Sequence, residues 1–257
     1  MAETERMIRI VKLFGNGAHV FVPRGWVGEQ ILIERPEKKN LKEKILYALS
    51  DYLEFIVGVY LYGSHARGEQ TPDSDIDLLV ITDKKLKIKV QGFEIISLPK
   101  EEVERAVKLT PLLIHSILSE GKSIINSKLF EYLKIKHKPK LSDFKEFLAE
   151  TKRIIKINEE FIIDEKSKYL DSEAVVYSLV LRLRGLFIIK SILNKNKYSH
   201  KIFKSWIKSN LPEIDFKSIY EAYNLSKNDK KIKQKIKLSD VKLLIKFLKS
   251  EVNLLNG

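Results

Sequence analysis

The sequence predicts an α+β protein, and three observations lead to that prediction. Runs rich in β-branched and aromatic residues, typical of strands, are confined to about the first hundred of the 257 residues. From residue 141 onward, apolar residues recur at helical spacing instead. A lysine-rich segment at 134–140, interrupted by a proline, separates the two patterns. We therefore expect three parts: a small β-module at 1–36, an α/β domain at 37–133 and an α-helical bundle at 141–257.

The first part carries a β-hairpin signal. Apolar runs at 8–13 and 19–23 flank the turn sequence Gly15-Asn16-Gly17, and a third strand is predicted at 30–34. The segment resembles AbrB-like swapped-hairpin modules, a resemblance that implies pairing into homodimers and DNA binding through basic residues.

Three basic residues of this module are the candidate nucleic-acid-binding side chains, namely Arg9, Lys12 and Arg24. The alternative is a β-appendage that packs on a neighbour or drives dimerisation, because a unit this small rarely buries a sufficient core alone. Both readings, and the homodimer, stay open at the level of sequence.

The stretch from 57 to 80 carries the strongest chemical signal. An apolar strand is predicted at 57–62 and ends at Gly63-Ser64, where a short helical turn begins. A glycine lets the backbone approach a ligand closely, and the free N–H groups of a helix N-terminus suit a phosphate. Arg67 in the same turn could pair with a phosphate or with a nearby carboxylate. Gly63, Ser64 and Arg67 are therefore the candidate nucleotide-binding residues.

Two aspartates follow ten residues after the Gly-Ser pair. Asp75 and Asp77 open a predicted strand at 75–81, in which alternate side chains share one face. Two carboxylates on one face offer the hard oxygen ligands that Mg²⁺ prefers. Glu94, in a predicted strand at 90–98, is the candidate third acid, because a carboxylate in an apolar strand is costly unless it is paired or bound to a metal. The alternative is that Glu94 faces water.

The combination of these residues resembles the polymerase β-like nucleotidyltransferase superfamily, and within it the minimal nucleotidyltransferases with Gly-Ser, ten residues and Asp-x-Asp. The resemblance implies a mixed sheet with helices packed on one side, a nucleoside triphosphate substrate such as ATP, and two Mg²⁺ ions for which Mn²⁺ can substitute. It also implies that Ser64 contacts phosphate, that Asp75 and Asp77 are metal-binding and catalytic, and that Glu94 is the third catalytic and metal-binding acid. Members of this group modify proteins, including toxin partners, as well as small molecules such as aminoglycosides, and RNA ends.

The last part reads as a bundle of helices. Helices are predicted after the caps at 142–143, at 173–193, 199–208 and 216–225, and after 239–240, with 173–193 apolar nearly all round and therefore central. The bundle resembles the HEPN-type or kanamycin-nucleotidyltransferase C-terminal bundles. On the central helix, Arg182 and Arg184 could reach a nucleotide or an anionic acceptor, or form structural ion pairs.

Composition narrows the function further. The net charge of +13 fits an anionic partner such as nucleic acid or a nucleotide, or reflects a lysine-rich background composition. There is no cysteine, which excludes disulfides and thiolate metal sites, and no membrane-length apolar run or signal-peptide core is apparent, so we expect a cytoplasmic protein with no membrane partner.

Taken together, these patterns predict a metal-dependent nucleotidyltransferase that moves AMP from ATP to an acceptor hydroxyl. A protein acceptor is preferred, followed by a small molecule and an RNA end. The alternative from another class is a non-catalytic, nucleotide-sensing regulator that binds DNA through the β-module.

Overall fold

The computed structural model describes residues 11–31, 33, 40–163, 167–170, 172–227 and 235–256. Their backbone divides into two compact units, Met1–Glu43 and Lys44–Gly257. The strands are β1 (Lys12–Phe14), β2 (Gly17–His19), β3 (Ile56–Tyr62), β4 (Ile76–Thr82), β5 (Phe93–Pro99) and β6 (Lys122–Ile125). The helices are α1 (Leu41–Ala48), α2 (Gly63–Arg67), α3 (Val103–Leu109), α4 (Pro111–Glu120), α5 (Ser127–Lys136), α6 (Lys145–Ile163), α7 (Glu173–Leu193), α8 (His200–Asn210), α9 (Phe216–Lys227) and α10 (Leu238–Asn256).

The first unit contains the predicted hairpin in a shorter form. Antiparallel β1 and β2 meet at the Gly15-Asn16-Gly17 turn, where Gly15 has a φ of 55° that favours glycine. The second predicted strand was expected to continue to residue 23, but β2 ends at His19. The third predicted strand is described only at 30, 31 and 33, and none of these positions is in a strand. Residues 1–10 lie outside the described part of the chain, and with them the first half of the first predicted strand and Arg9.

The second unit contains a four-stranded mixed sheet in the order β5-β4-β3-β6. β3 pairs antiparallel with β4 and β6, whereas β4 and β5 are parallel. The two central strands are almost completely buried, which explains why their sequences are nearly continuous apolar runs. Side chains of α3, α4 and α5 pack on the sheet around Tyr60 and Phe130, whose rings stack with centroids 4.4 Å apart.

The helices of the same unit have a separate apolar core around α7. Seven apolar residues of this helix between Val175 and Ile189 are at most 2% exposed, as its apolar pattern predicts, whereas Leu181 is 38% exposed. α7 contacts α4, α6, α9 and α10, so the core of the bundle continues toward the sheet through α4. The prediction of α7 at 173–193 is confirmed to the residue. The predicted boundaries of the α/β domain and the bundle remain predictions.

Several predicted boundaries were displaced. Helical spacing of apolar residues predicts one helix from Leu41 to Phe55, but α1 ends at Ala48 and is followed by a 3-10 turn at Ser50–Phe55. The predicted linker at 134–140 begins inside α5, which continues to Lys136. β4 begins one residue later than predicted, so Asp75 lies just before the strand. No helix in the part of the chain that the structure describes is both long and apolar enough to cross a membrane.

Candidate active site

The site is built at the end of the two central strands, where Gly63 connects β3 to α2. Gly63 has a φ of 70°, and a Cβ at this position would collide with the carboxylate of Asp77 on β4. Only glycine satisfies both conditions, because other residues are strained at this φ and would displace the acid. The Gly-Ser sequence is therefore needed for the close packing of the β3–α2 turn against Asp77.

The acidic side chain of Asp77 lies beside that of Glu94. Parallel pairing of β4 with β5 puts the two residues in register, so the two carboxyl groups lie close enough to interact. Burial and the neighbouring Glu94 carboxylate raise the pKa of Asp77 to about 6. A proton or a cation between two adjacent carboxyl groups relieves the repulsion between the two anions.

Two of the predicted acids are exposed to solvent. Asp75 is exposed just before β4, and Glu94 is exposed on an edge strand of the sheet. Asp75, Asp77, Glu94 and Ser64 all line one cleft, whose volume is about 1690 Å³. The predicted site residues of the two strands thus face a common space.

A divalent cation such as Mg²⁺ requires oxygen ligands, which the carboxylates of the cleft would supply. Among the residues that the structure describes, no three His, Asp or Glu side chains are gathered into a metal site. Mg²⁺, however, is usually held by one or two carboxylates together with substrate phosphates and water rather than by an all-protein cage. The adjoining Asp77 and Glu94 carboxylates, with Asp75 on the same cleft, fit that requirement.

Arg67 lies on the cleft but is engaged by carboxylates. Its Nε donates to Glu69 Oε2 at 2.8 Å and its Nη1 to Glu120 Oε1 at 2.7 Å. The same Glu120 oxygen accepts a hydrogen bond from the Gly63 backbone N–H at 3.1 Å. The side chains of Arg67 and Glu120 are 9% and 7% exposed, so the pair is largely desolvated. Of the two partners that the sequence leaves open for Arg67, the structure shows carboxylates, and their pairing fixes the turn that contains Gly63.

The opposite wall of the cleft comes from the helices and carries positive charge. Arg184 on α7, Lys204 on α8 and Lys227 at the end of α9 line it. Lys227 is near enough to the acids to lower the pKa of Asp77, although burial dominates that pKa. The cleft therefore has carboxylates on its strand wall and cations from α7, α8 and α9 on its helical wall, to which α6 also adds Glu146 and Glu150.

Two tyrosines hold the guanidinium of Arg184. Arg184 Nε donates to the Tyr198 hydroxyl at 2.9 Å, and Nη1 lies 3.5 Å from the Tyr223 hydroxyl. Within the described ranges no carboxylate comes within 4.0 Å of this cation, whereas Arg182 donates to Glu150 at 2.8 Å and does not line the cleft. Of the two alternatives open for these arginines, Arg182 is a structural ion pair and Arg184 faces the cleft.

His200 connects the two walls. Its backbone N–H donates to Glu69 Oε1 at 2.8 Å, and its Nδ1 lies 3.3 Å from the Tyr220 hydroxyl. Burial and the nearby cations Arg184 and Arg67 lower the pKa of His200 to about 4, so this histidine is neutral near pH 7. Glu69 thereby ties the turn after Gly63 to the start of α8.

Sequence reasoning missed the residues of this network. Glu69, Glu120 and the group Tyr198, His200 and Lys204 come from three separate segments, and no local spacing connects these segments. A partial signal existed for Glu120, which is an acid at the end of an otherwise apolar helix.

The residues of the first unit that were predicted to bind nucleic acid are exposed where they are described. Lys12 lies on β1 and Arg24 begins a 3-10 turn. Arg9 is outside the described residues.

The fold and the cleft define the class of protein. A mixed sheet whose central strands carry a Gly-Ser turn against an Asp-x-Asp pair is typical of enzymes that transfer nucleotides. The family model described as the nucleotidyltransferase domain matches residues 42–168. This match, over just under half of the chain, confirms the resemblance to the polymerase β-like nucleotidyltransferases that the sequence shows.

Individual relatives are more distant. A putative protein adenylyltransferase of Methanocaldococcus jannaschii is 43% identical over 47 residues, which is 18% of this chain and 47% of that protein. The chain thus matches about half the length of this curated relative.

Two solved structures are also similar. A spectinomycin adenyltransferase of Enterococcus faecialis, solved with ATP and spectinomycin, covers 82% of this chain and 96% of its own at 17% identity and a TM-score of 0.43. A toxin-antitoxin structure with AMP-PNP covers 46% of this chain and 98% of its own at 20% identity and a TM-score of 0.32. Scores this low do not establish shared substrates.

Proposed function

We propose that the chain is an Mg²⁺-dependent adenylyltransferase that transfers AMP from ATP to the hydroxyl group of an acceptor, with a protein as the first-choice acceptor. The observation that carries this proposal is the packing of Asp77 against Gly63 and beside Glu94 on the floor of the cleft. The carboxylates form an acidic site beside the β3–α2 turn. The backbone N–H groups of that turn suit a triphosphate, and the carboxylates suit its cation.

The reaction forms a bond between the acceptor oxygen and the α-phosphorus and breaks the bond from that phosphorus to the pyrophosphate oxygen. Asp75, Asp77 and Glu94 are the residues that would hold two Mg²⁺ ions, or Mn²⁺ in their place. When bound, these ions neutralise charge that develops as pyrophosphate leaves. Ser64 offers its hydroxyl and backbone N–H to a phosphate, and Glu94, the most exposed of the paired acids, can accept the proton of the attacking hydroxyl.

The cations on the helical wall support a role for this wall in binding the donor nucleotide. A guanidinium that hydrogen-bonds only neutral tyrosines keeps its full charge for an anionic ligand. Arg184, with Lys204 and Lys227, would attract the triphosphate into the cleft, and the carboxylates opposite would meet it through the bound cation.

The preference for a protein acceptor is supported by the sequence similarity to a putative protein adenylyltransferase. A protein that is a toxin partner, as the toxin-antitoxin resemblance suggests, is the specific form of this hypothesis. A small-molecule acceptor of the aminoglycoside kind is the second candidate, because a cleft of about 1690 Å³ exceeds the roughly 1,000 Å³ of the largest ordinary ligand pockets and leaves room beside a nucleotide. An RNA end is the third.

The test is transfer of label from α-³²P-ATP with Mg²⁺ in host lysate separated into protein, RNA and small-molecule fractions. Asp77→Asn should lower transfer by about a thousandfold, because it removes a charge needed only when the phosphates react. Asp83→Asn is the matched control, since Asp83 follows the other end of β4 and does not line the cleft. The labelled fraction identifies the acceptor class.

Failure of the test has a specific meaning. If wild-type protein transfers no label from any of the four nucleotides, the enzymatic proposal is wrong. Salt-sensitive binding of DNA that is lost in Lys12→Ala/Arg24→Ala would then support the regulator hypothesis.

A further inference from the structure

A second cavity lies in the Lys44–Gly257 unit. Of the described residues that line it, Glu146 alone also lines the main cleft. Its volume is about 500 Å³, within the roughly 300–1,000 Å³ of small-ligand sites. The ends of α3 and α5 and the start of α6 form its walls. The lysine-rich segment that the sequence marks as a linker, residues 134–140, therefore lines a concave site.

A buried histidine is part of this cavity. His115 on α4 is 3% exposed, and its ring packs edge-on against Phe144 with centroids 5.7 Å apart. Its Nε2 lies 3.4 Å from Asp143 Oδ2, and neither ring nitrogen has a hydrogen-bond partner among the residues described. A buried polar atom without a partner costs about 1–3 kcal/mol, so a ligand atom at this position would be stabilised.

A second histidine repeats the pattern. The side chain of His137, just after α5, is 9% exposed, and its Nε2 is 3.5 Å from Glu104 Oε1 without a hydrogen bond in the described part of the chain. Glu104 is already engaged by Lys136, with which it forms an ion pair. Both histidines thus present unused ring nitrogens within one cavity.

The rim of the cavity is rich in cations. Five lysines and three acids line it; the lysines are Lys108, Lys136, Lys138, Lys140 and Lys145. Glu104 pairs with Lys136, and Asp143 Oδ2 accepts from the Lys140 backbone N–H at 2.8 Å. Four of these lysines, all except Lys136, form no ion pair with any described carboxylate. A net positive rim above unpaired imidazoles selects an anion with several acceptor oxygens.

We propose that this cavity binds the phosphate group of a small phosphorylated molecule. Lys108, Lys138 and Lys140 supply the charge, and His115 and His137 supply hydrogen bonds from below. The site is separate from the cleft that holds Asp77, and the inference does not depend on the reaction proposed above.

The imidazoles themselves report binding. The chain has five histidines, so side-chain ¹H–¹³C spectra of the full-length protein contain five resolvable sets of signals, which single His→Gln variants identify. Inorganic phosphate and AMP are titrated separately in EDTA, which removes the cation that the main cleft requires. Saturable shifts of the His115 and His137 signals are expected, and a response to inorganic phosphate as well as AMP identifies the phosphate as the recognised group. A response to AMP alone would overturn that recognition.

The charge contribution is tested with exposed lysines, which can be replaced without disturbing the core. Lys138→Ala/Lys140→Ala should weaken binding by about tenfold, the effect of two partly exposed charge contacts. Lys128→Ala/Lys152→Ala removes the same charge from exposed positions outside the cavity and should leave affinity unchanged. Shifts confined to His200, equal weakening by both double variants, or a response to an RNA oligonucleotide without any to phosphate or AMP would each overturn the proposal.

Discussion

The residues on the two walls of the main cleft differ in how far apart they lie along the sequence. On the strand wall, Gly63, Asp75 and Asp77 lie within fifteen consecutive residues, and the pairing of β4 with β5 adds Glu94. On the helical wall, the cations come from α7, α8 and α9, and no short segment contains them all. The strand wall presents acids, whereas α7, α8 and α9 present cations and α6 presents Glu146 and Glu150. The comparison indicates that a local motif positions the reactive centre, whereas tertiary packing supplies the charge that faces it.

The largest effect is expected from a variant that displaces the Asp77 side chain without replacing Asp77 itself. Gly63→Ala forces a Cβ into the Asp77 carboxylate, and we expect AMP transfer to fall by about a hundredfold or more, equivalent to about 3 kcal/mol. Transfer rate and thermal unfolding are measured together. Gly68→Ala is the control, because Gly68 has a similar φ of 74° but open space around its Cβ. Equal loss of transfer in both variants would mean that backbone strain, not the contact with Asp77, causes the effect.

The next test concerns the ion pair behind the turn. Glu120→Gln leaves Arg67 with only Glu69 and weakens the hydrogen bond from Gly63, so we expect the free energy of unfolding to fall by about 2–3 kcal/mol. Glu131→Gln breaks an exposed pair with Lys134 and should cost less than about 0.5 kcal/mol. Chemical denaturation measures both. Similar small losses would show that the desolvated pair does not stabilise the turn.

The helical wall is tested through substrate affinity. Arg184→Gln should raise KM for ATP about tenfold, because a charge-assisted contact to phosphate is lost while the acids remain in place. Arg182→Gln is the control on the same helix, since Arg182 does not line the cleft and is paired with Glu150. Steady-state kinetics with saturating acceptor distinguishes the two. An unchanged KM for ATP in Arg184→Gln would mean that Arg184 does not contribute to binding of the donor nucleotide.

The smallest expected effect is a pH dependence of stability. The pKa of His200 is lowered to about 4 in the folded chain, so its contribution to stability is fully present above its unfolded pKa near 6.5 and is lost as pH falls toward 4. His200→Gln should remove about 1–2 kcal/mol of the stability change between pH 6.5 and 4. Denaturation at closely spaced pH values gives the slope. An identical slope in the variant would mean that His200 is accessible to protons in the folded state.

Part of the fold and the site was predictable because the signals are local. The strand before Gly63, the alternating acids after the turn and the all-round apolar α7 each follow from periodicities of two or 3.6 residues, which depend only on neighbouring positions. The hairpin turn is also local, but strand lengths depend on pairing partners, and β2 is shorter than its apolar run suggests. The early end of α1 likewise has no clear signal in the composition of residues 41–55.

The sequence by itself predicted the class of chemistry, since a glycine, a serine and two aspartates at fixed spacing indicate the nucleotidyltransferase domain that the family model also matches. Only the tertiary structure decided that Arg67 pairs with Glu69 and Glu120, that Arg184 but not Arg182 faces the cleft, and that the lysine-rich segment lines a cavity above His115. The physical reason is that charge partners are chosen by distance in space. Residues 53 or more positions apart along the chain, such as Arg67 and Glu120, become neighbours only when the sheet and helices have packed.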